Sequence, residues 1–128
     1  MRVSEKNKLE LAGAAATGMI TAYHAQERPE TKAVVSNYGE RTFAELNARV
    51  NQLARVLRNA GLKPDDGVAM LLTNRPEFVE VYYACMRTGL RITPINWHLT
   101  GDNASYIVTN SGAKAFIADI RCQEPAIE

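Results

Sequence analysis

The chain has few of the residues that usually announce a chemistry. Two cysteines, Cys85 and Cys122, and two histidines, His24 and His98, are spread over 128 residues. Neither pair has metal-site spacing, and two distant cysteines form no disulfide framework, so a reducing cytoplasm is the default location. No apolar run approaches the ~20 residues that span a bilayer, so no transmembrane segment is expected. Neither sign of charge dominates. Fifteen basic side chains against fourteen acidic ones leave +1, and the bases are scattered, which excludes the electrostatic footprint of a nucleic-acid binder. A phosphate cradle is missing too. Gly13 to Gly18 has the glycine interval of a P-loop, but Met19-Ile20 stand where Lys-Ser/Thr is required, and no G-x-G-x-x-G occurs.

What remains is the composition of an ordinary soluble domain, 46% hydrophobic and 23% charged, long enough for one core. The basic start followed by Leu9 to Ala16 imitates a secretory signal, but Glu5 and Glu10 interrupt it. Residues 1–18 read instead as a lead-in, helical or disordered. A short helix over Met19 to Glu27 follows, with Met19, Ile20 and Tyr23 on one side, and then a hairpin built on Ala33-Val34-Val35 and Arg41-Thr42-Phe43.

Thr42 to Ala60 is the best-specified helix. Thr42-Phe43-Ala44-Glu45 is a capping box, Gly61 is the stop, and Phe43, Leu46, Val50, Leu53, Leu57 and Ala60 form one apolar stripe. Glu45 and Arg49 stand four apart, as an i,i+4 ion pair requires.

The organising stretch runs from Val68 to Leu99. Val68 to Leu72 is five apolar residues in a row, the pattern of a strand covered on both faces. Asn74 as cap, Pro76 in the first turn and Glu77 as partner open a helix that Gly89 stops. Arg91 to Ile95 returns as a strand. Phe78 to Met86 leaves this helix little polar surface, so it should be covered on more than one side. A further helix to about Asn110, capped by Thr100 or Asp102, leads to the strand Ala115 to Ala118. The alternation predicts a layered α/β fold with a mainly parallel sheet and flanking helices.

In such a sheet ligands bind beyond the carboxyl ends of the strands, here Thr73-Asn74-Arg75, Asn96-Trp97-His98 and Asp119. Asn74 and Glu77 are accounted for by capping. His24 reads as a packing residue and Cys85 as a small buried hydrophobe. Cys122 has only Arg121 beside it to favour a thiolate. His98, at a strand end beside Trp97, is the one candidate site residue; no triad or nucleophile elbow is present.

Arg41 to Ala54 (RTFAELNARVNQLA) resembles the start of the adenylate-forming acyl-CoA synthetases of the AMP-binding superfamily. The likeness continues through Gly61 to Ala69, Asn74-Arg75-Pro76-Glu77-Phe78, Arg87-Thr88-Gly89, Pro94-Ile95-Asn96-Trp97-His98-Leu99-Thr100, and Ser111 to Ala115. The wording Pro-Ile-Asn-Trp-His-Leu-Thr is most similar to bacterial fatty-acid–CoA ligases. The resemblance implies residues 19–120 as the N-terminal portion of an AMP-binding domain, a partial subdomain of that fold, with 121–128 as a tail or boundary. It implies a parent enzyme that converts a fatty acid, ATP and CoA to acyl-CoA, AMP and pyrophosphate, with Mg2+ accompanying the ATP.

The family's phosphate loop and catalytic lysine have no counterpart here, so the resemblance carries over no catalytic residue and no metal ligand. It places His98 near a CoA phosphate, where arginine is commoner, and Asn103 replaces the glutamate of a Thr-x-x-Glu box. The implied partners are the rest of the synthetase polypeptide, or a second copy through exposed apolar surface. A stand-alone interaction module from a shortened synthetase gene is the alternative.

Overall fold

A computed structural model describes residues 5–96, 98 and 101–118. The elements run α1 (Glu5–Ala16), α2 (Ile20–Glu27), β1 (Lys32–Ser36), β2 (Gly39–Thr42), α3 (Phe43–Asn59), β3 (Gly67–Leu71), α4 (Pro76–Thr88), β4 (Arg91–Pro94), α5 (Gly101–Asn110) and β5 (Ala113–Ala118). β1 and β2 form an antiparallel hairpin. β3, β4 and β5 form a parallel sheet in the order β4-β3-β5. The expected α/β layering is present.

β3 is the spine. All five of its residues are buried, as its unbroken apolar run demands. Alternation sends Val68 and Met70 to one face, where they meet Leu46, Val50 and Leu57 of α3 and Val81, Ala84 and Cys85 of α4. Ala69 and Leu71 go to the other face and meet Ala104 of α5, with Ile95. Fully burying a side chain such as Leu71 or Val68 stabilises by about 1.5–3 kcal/mol. Gly67 opens the strand rather than a turn, because a Cβ there would lie 3.2 Å from the Ala113 Cα of β5.

The capping box of α3 forms as its sequence requires. The Glu45 N–H donates to Thr42 Oγ1 at 3.2 Å, and the Thr42 N–H donates to Glu45 Oε1 at 3.0 Å. That leaves Glu45 engaged at the cap, and Arg49 turns instead to Glu80, so the expected Glu45–Arg49 pair is replaced. Ala54, not expected on the stripe, is buried, while Ala60, expected there, is the exposed C-cap.

α4 departs from expectation at its start. Proline disfavours helical backbone in the residue before it, so Arg75 is extended (φ −122°, ψ 162°) and becomes the N-cap. Asn74 is left outside the helix, exposed, and caps nothing. Gly89 closes α4 in the left-handed region (φ 73°) as expected. Much of the cover that α4's apolar surface calls for comes from this chain. Val79 and Tyr83 pack with Val34 of the hairpin against the core cluster, while Tyr82 and Met86 stay partly exposed, at 38% and 41%.

In α2 the buried residue is Thr21, not the expected apolar trio, and Met19 precedes the helix and is exposed. Thr21 is buried because it accepts a hydrogen bond from Arg87 Nη2 at 2.7 Å. The same guanidinium donates to Asn47 Oδ1 at 2.8 Å and to Asn51 Oδ1, tying α2, α3 and α4 together. The roles expected of Trp97, Thr100, Asp119 and Cys122 lie outside the described residues.

Met70→Ala removes a fully buried side chain from the centre of β3 and should cost about 3 kcal/mol. Thr42→Ala, which removes only the cap, should cost about 1 kcal/mol. Urea unfolding of the two variants beside the parent checks both the magnitudes and their order.

Candidate functional site

A cleft of about 520 Å³ opens at the carboxyl ends of β3 and β5. Its position follows from connectivity. After β3 the chain crosses to β4 on one side, and after β4 it crosses back to β5 on the other. The carboxyl ends of β3 and β5 therefore flank the point where strand order reverses, where open α/β sheets hold ligands. Leu53, Leu72, Val81 and Ile117 supply apolar walls, and Arg49 and Arg75 stand at the polar side.

The polar side is built around Glu80, which is 5% exposed. Its Oε1 accepts from Arg41 Nε at 3.2 Å and from Arg49 Nε at 3.0 Å, so one carboxylate oxygen joins the hairpin and α3 to α4. A buried carboxylate without cations would be strongly disfavoured, and two guanidiniums meet that requirement. Next to it Glu77 Oε2 lies 3.4 Å from Arg75 Nε, and Glu77 Oε1 lies 4.0 Å from Arg41 Nη2. The Arg75 guanidinium also lies over the Tyr38 ring, 5.2 Å from its centroid. Three arginines and two glutamates thus leave one excess positive charge beside an apolar cleft.

Of the described residues expected at the carboxyl edge, Arg75 lines this cleft and Thr73, Asn74, Asn96 and His98 do not. His98 is exposed beyond β4, and its backbone N–H donates to Asn96 Oδ1 at 2.9 Å. His24 packs on Phe43, with ring centroids 5.0 Å apart. Burial, and then the nearby Arg28 charge, lower its pKa and keep the ring neutral near pH 7. Cys85 is a fully buried free thiol whose pKa burial pushes up to about 11, the environment of an inert packing residue. Glu80 was not legible as a site residue. Its partners lie 39 and 31 positions away, and its only local signal was being the one acid in the otherwise apolar stretch Phe78 to Met86.

Among the described residues no three His, Cys, Asp or Glu side chains are grouped to hold a cation, and no glycine-rich loop cradles a phosphate. No described helix is long and apolar enough to cross a membrane.

Fold and cleft together define one layer of a doubly wound α/β domain. The model of the AMP-binding enzyme family matches residues 21–128, and the chain belongs to that family. It is 35% identical over 94 residues to a fatty acid–[acyl-carrier-protein] ligase, ScoC, of Streptomyces coeruleorubidus, an alignment covering 73% of this chain and 18% of the relative. It is 37% identical over 95 residues to bacitracin synthase 3 of Bacillus licheniformis, covering 74% of this chain and 2% of that one. Among solved structures, the N-terminal subdomain of Klebsiella oxytoca NpsA, in complex with anthranilyl-AMSN, superposes with a TM-score of 0.75 at 27% identity. That match covers 82% of this chain and 27% of the solved subdomain chain. The chain therefore spans about a fifth or less of the curated relatives named here, and its fold is that of an N-terminal piece of adenylate-forming enzymes. The likeness extends to bacitracin synthase 3 as well as to a fatty acid ligase, so it does not separate those branches.

Removing Glu80 (Glu80→Ala) leaves Arg41 without its buried partner and should cost about 3 kcal/mol. Arg49→Ala takes away a half-exposed cation and should cost under about 1 kcal/mol. Denaturant midpoints of the two variants test that ordering.

Proposed function

We propose that this chain is the N-terminal segment of an ATP-dependent fatty-acyl-CoA synthetase, serving as scaffold rather than catalytic machinery. The carrying observation is the family match over residues 21–128, in a sequence that has no phosphate loop ending in lysine. The fatty-acid branch is favoured by Pro94-Ile95-Asn96-Trp97-His98-Leu99-Thr100 and by the likeness to a fatty acid ligase. In the whole enzyme ATP and Mg2+ act with groups outside this chain, and CoA does so apart from the neighbourhood of His98. Within it, the rigid β3 layer positions the ends of β3, β4 and β5 for the parts that follow.

His98 is the residue we assign to the neighbourhood of a CoA phosphate. It is exposed just beyond β4, where an anion can approach. Histidine lacks the fixed, forked charge of arginine and is the weaker anion partner, so its contribution is small.

The 128-residue chain should show no ATP–pyrophosphate exchange with any fatty acid, whereas a polypeptide continuing through the family's phosphate loop and lysine should show it. Exchange catalysed by the 128-residue chain itself would overturn the proposal.

A further inference from the structure

α2 is lightly held. Its one buried residue is the polar Thr21, and beneath the helix lies a cavity of about 490 Å³ instead of close-packed side chains. Ile20, Thr21 and His24 form the α2 side of that cavity, and Val34, Phe43 and Tyr83 belong to the walls given by the hairpin, α3 and α4. Arg87 ties Thr21 to α4, and the His24 ring lies tilted on Phe43 and edge-on to Tyr23. The Nδ1 atom of His24 is buried with no hydrogen-bond partner. A neutral ring can leave a bare lone pair there. An imidazolium would carry an N–H and a charge with nothing to receive them. The surrounding groups supply no counter-charge. On α2 itself they are Tyr23 and the cation Arg28, and among the described residues no carboxylate, exposed Glu27 included, is paired with the ring. β1 and α3 present only apolar residues to the cavity, and α4 presents Val79 and Tyr83, with the Arg87 cation one turn along α2 at Thr21.

We propose that His24 is an acid-sensitive latch, whose protonation frees α2 from the hairpin and α3 and opens the cavity beneath it. The moving part is bounded at both ends. Gly18, in the left-handed region (φ 72°), sits so close to α4 that a Cβ there would lie 2.3 Å from the Met86 carbonyl oxygen. Beyond α2, the Ala44 N–H donates to the Pro29 carbonyl at 3.1 Å and the Phe43 N–H donates to the Thr31 carbonyl at 2.9 Å. Residues 19–28 can therefore lift while their two anchors stay in place. Burial first, and the Arg28 charge second, hold the docked ring's pKa below its ordinary 6.5, so the lifted state binds more protons than the docked one. Docking is fully present above that ordinary value. It weakens as pH falls through it, until the docked ring is itself protonated. Lifting α2 uncovers the Val79 and Tyr83 wall, so the latch controls access to the cavity.

Native-state hydrogen exchange of the 128-residue chain at about pH 7 and about pH 5, corrected for intrinsic rates, tests the latch. The reporters are the Tyr23 and Arg28 amides, which donate to the Met19 and His24 carbonyls. The Ile95 amide, which donates to the Met70 carbonyl of β3, is the core reference. The proposal expects the α2 opening constant to rise at least about threefold at the lower pH, with no matching rise at Ile95. His24→Phe keeps an aromatic ring on Phe43 and cannot be protonated, so its α2 should open equally at both pH values. An unchanged opening constant in the parent, a rise that persists in His24→Phe, or an equal rise at Ile95 would overturn the proposal. The His24 imidazole followed by NMR in the parent decides the matter whether or not the variant folds. A titration midpoint below 6.5 supports the latch, and one at or above 6.5 overturns it.

Discussion

The fold depends on the burial of β3 from both sides. A strand whose five residues are all buried needs helices on both faces and a strand on each edge, and the rest of the chain supplies them in order. α3 and α4 cover Val68 and Met70, α5 covers Ala69 and Leu71, and β4 and β5 take the two edges. The hairpin then covers part of what α4 leaves apolar, at Val79 and Tyr83. Each later element is a consequence of one strand that cannot be left wet.

Polar chemistry is arranged around that core by tertiary bridges. Glu80 binds Arg41 and Arg49 through one oxygen, and Arg87 binds Thr21, Asn47 and Asn51. Both bridges start from α4 and reach α3, and each takes in a third element, the hairpin or α2. They fix the α2–hairpin–α3 layer on the sheet, where hydrophobic contact alone would allow sliding. Their worth lies in geometry as much as in energy, since a buried ion pair gains little over a well-packed apolar pair.

What could be read in advance was local. The Thr42–Glu45 box, the Gly89 stop and the unbroken run in β3 are determined within a few residues, and all three form. The Asn74 cap failed against an equally local rule, since Pro76 requires an extended residue before it and that residue is Arg75. Arg49 could not be placed from sequence. Glu45 offered a partner four residues away, but its carboxylate was committed to the cap, and the competing acid came from another helix. The cleft was legible only as a topological address at strand ends. Which side chains would line it depended on α3 packing over β3 and β5.

The most direct measurement of the central claim is native-state amide hydrogen exchange, read residue by residue. If β3 is the spine, the amides of Val68 to Leu71 exchange only through global unfolding, with the highest opening free energy in the chain, and those of the β1–β2 hairpin open earlier. Exchange in β3 at or below the opening free energy of the hairpin would contradict the account.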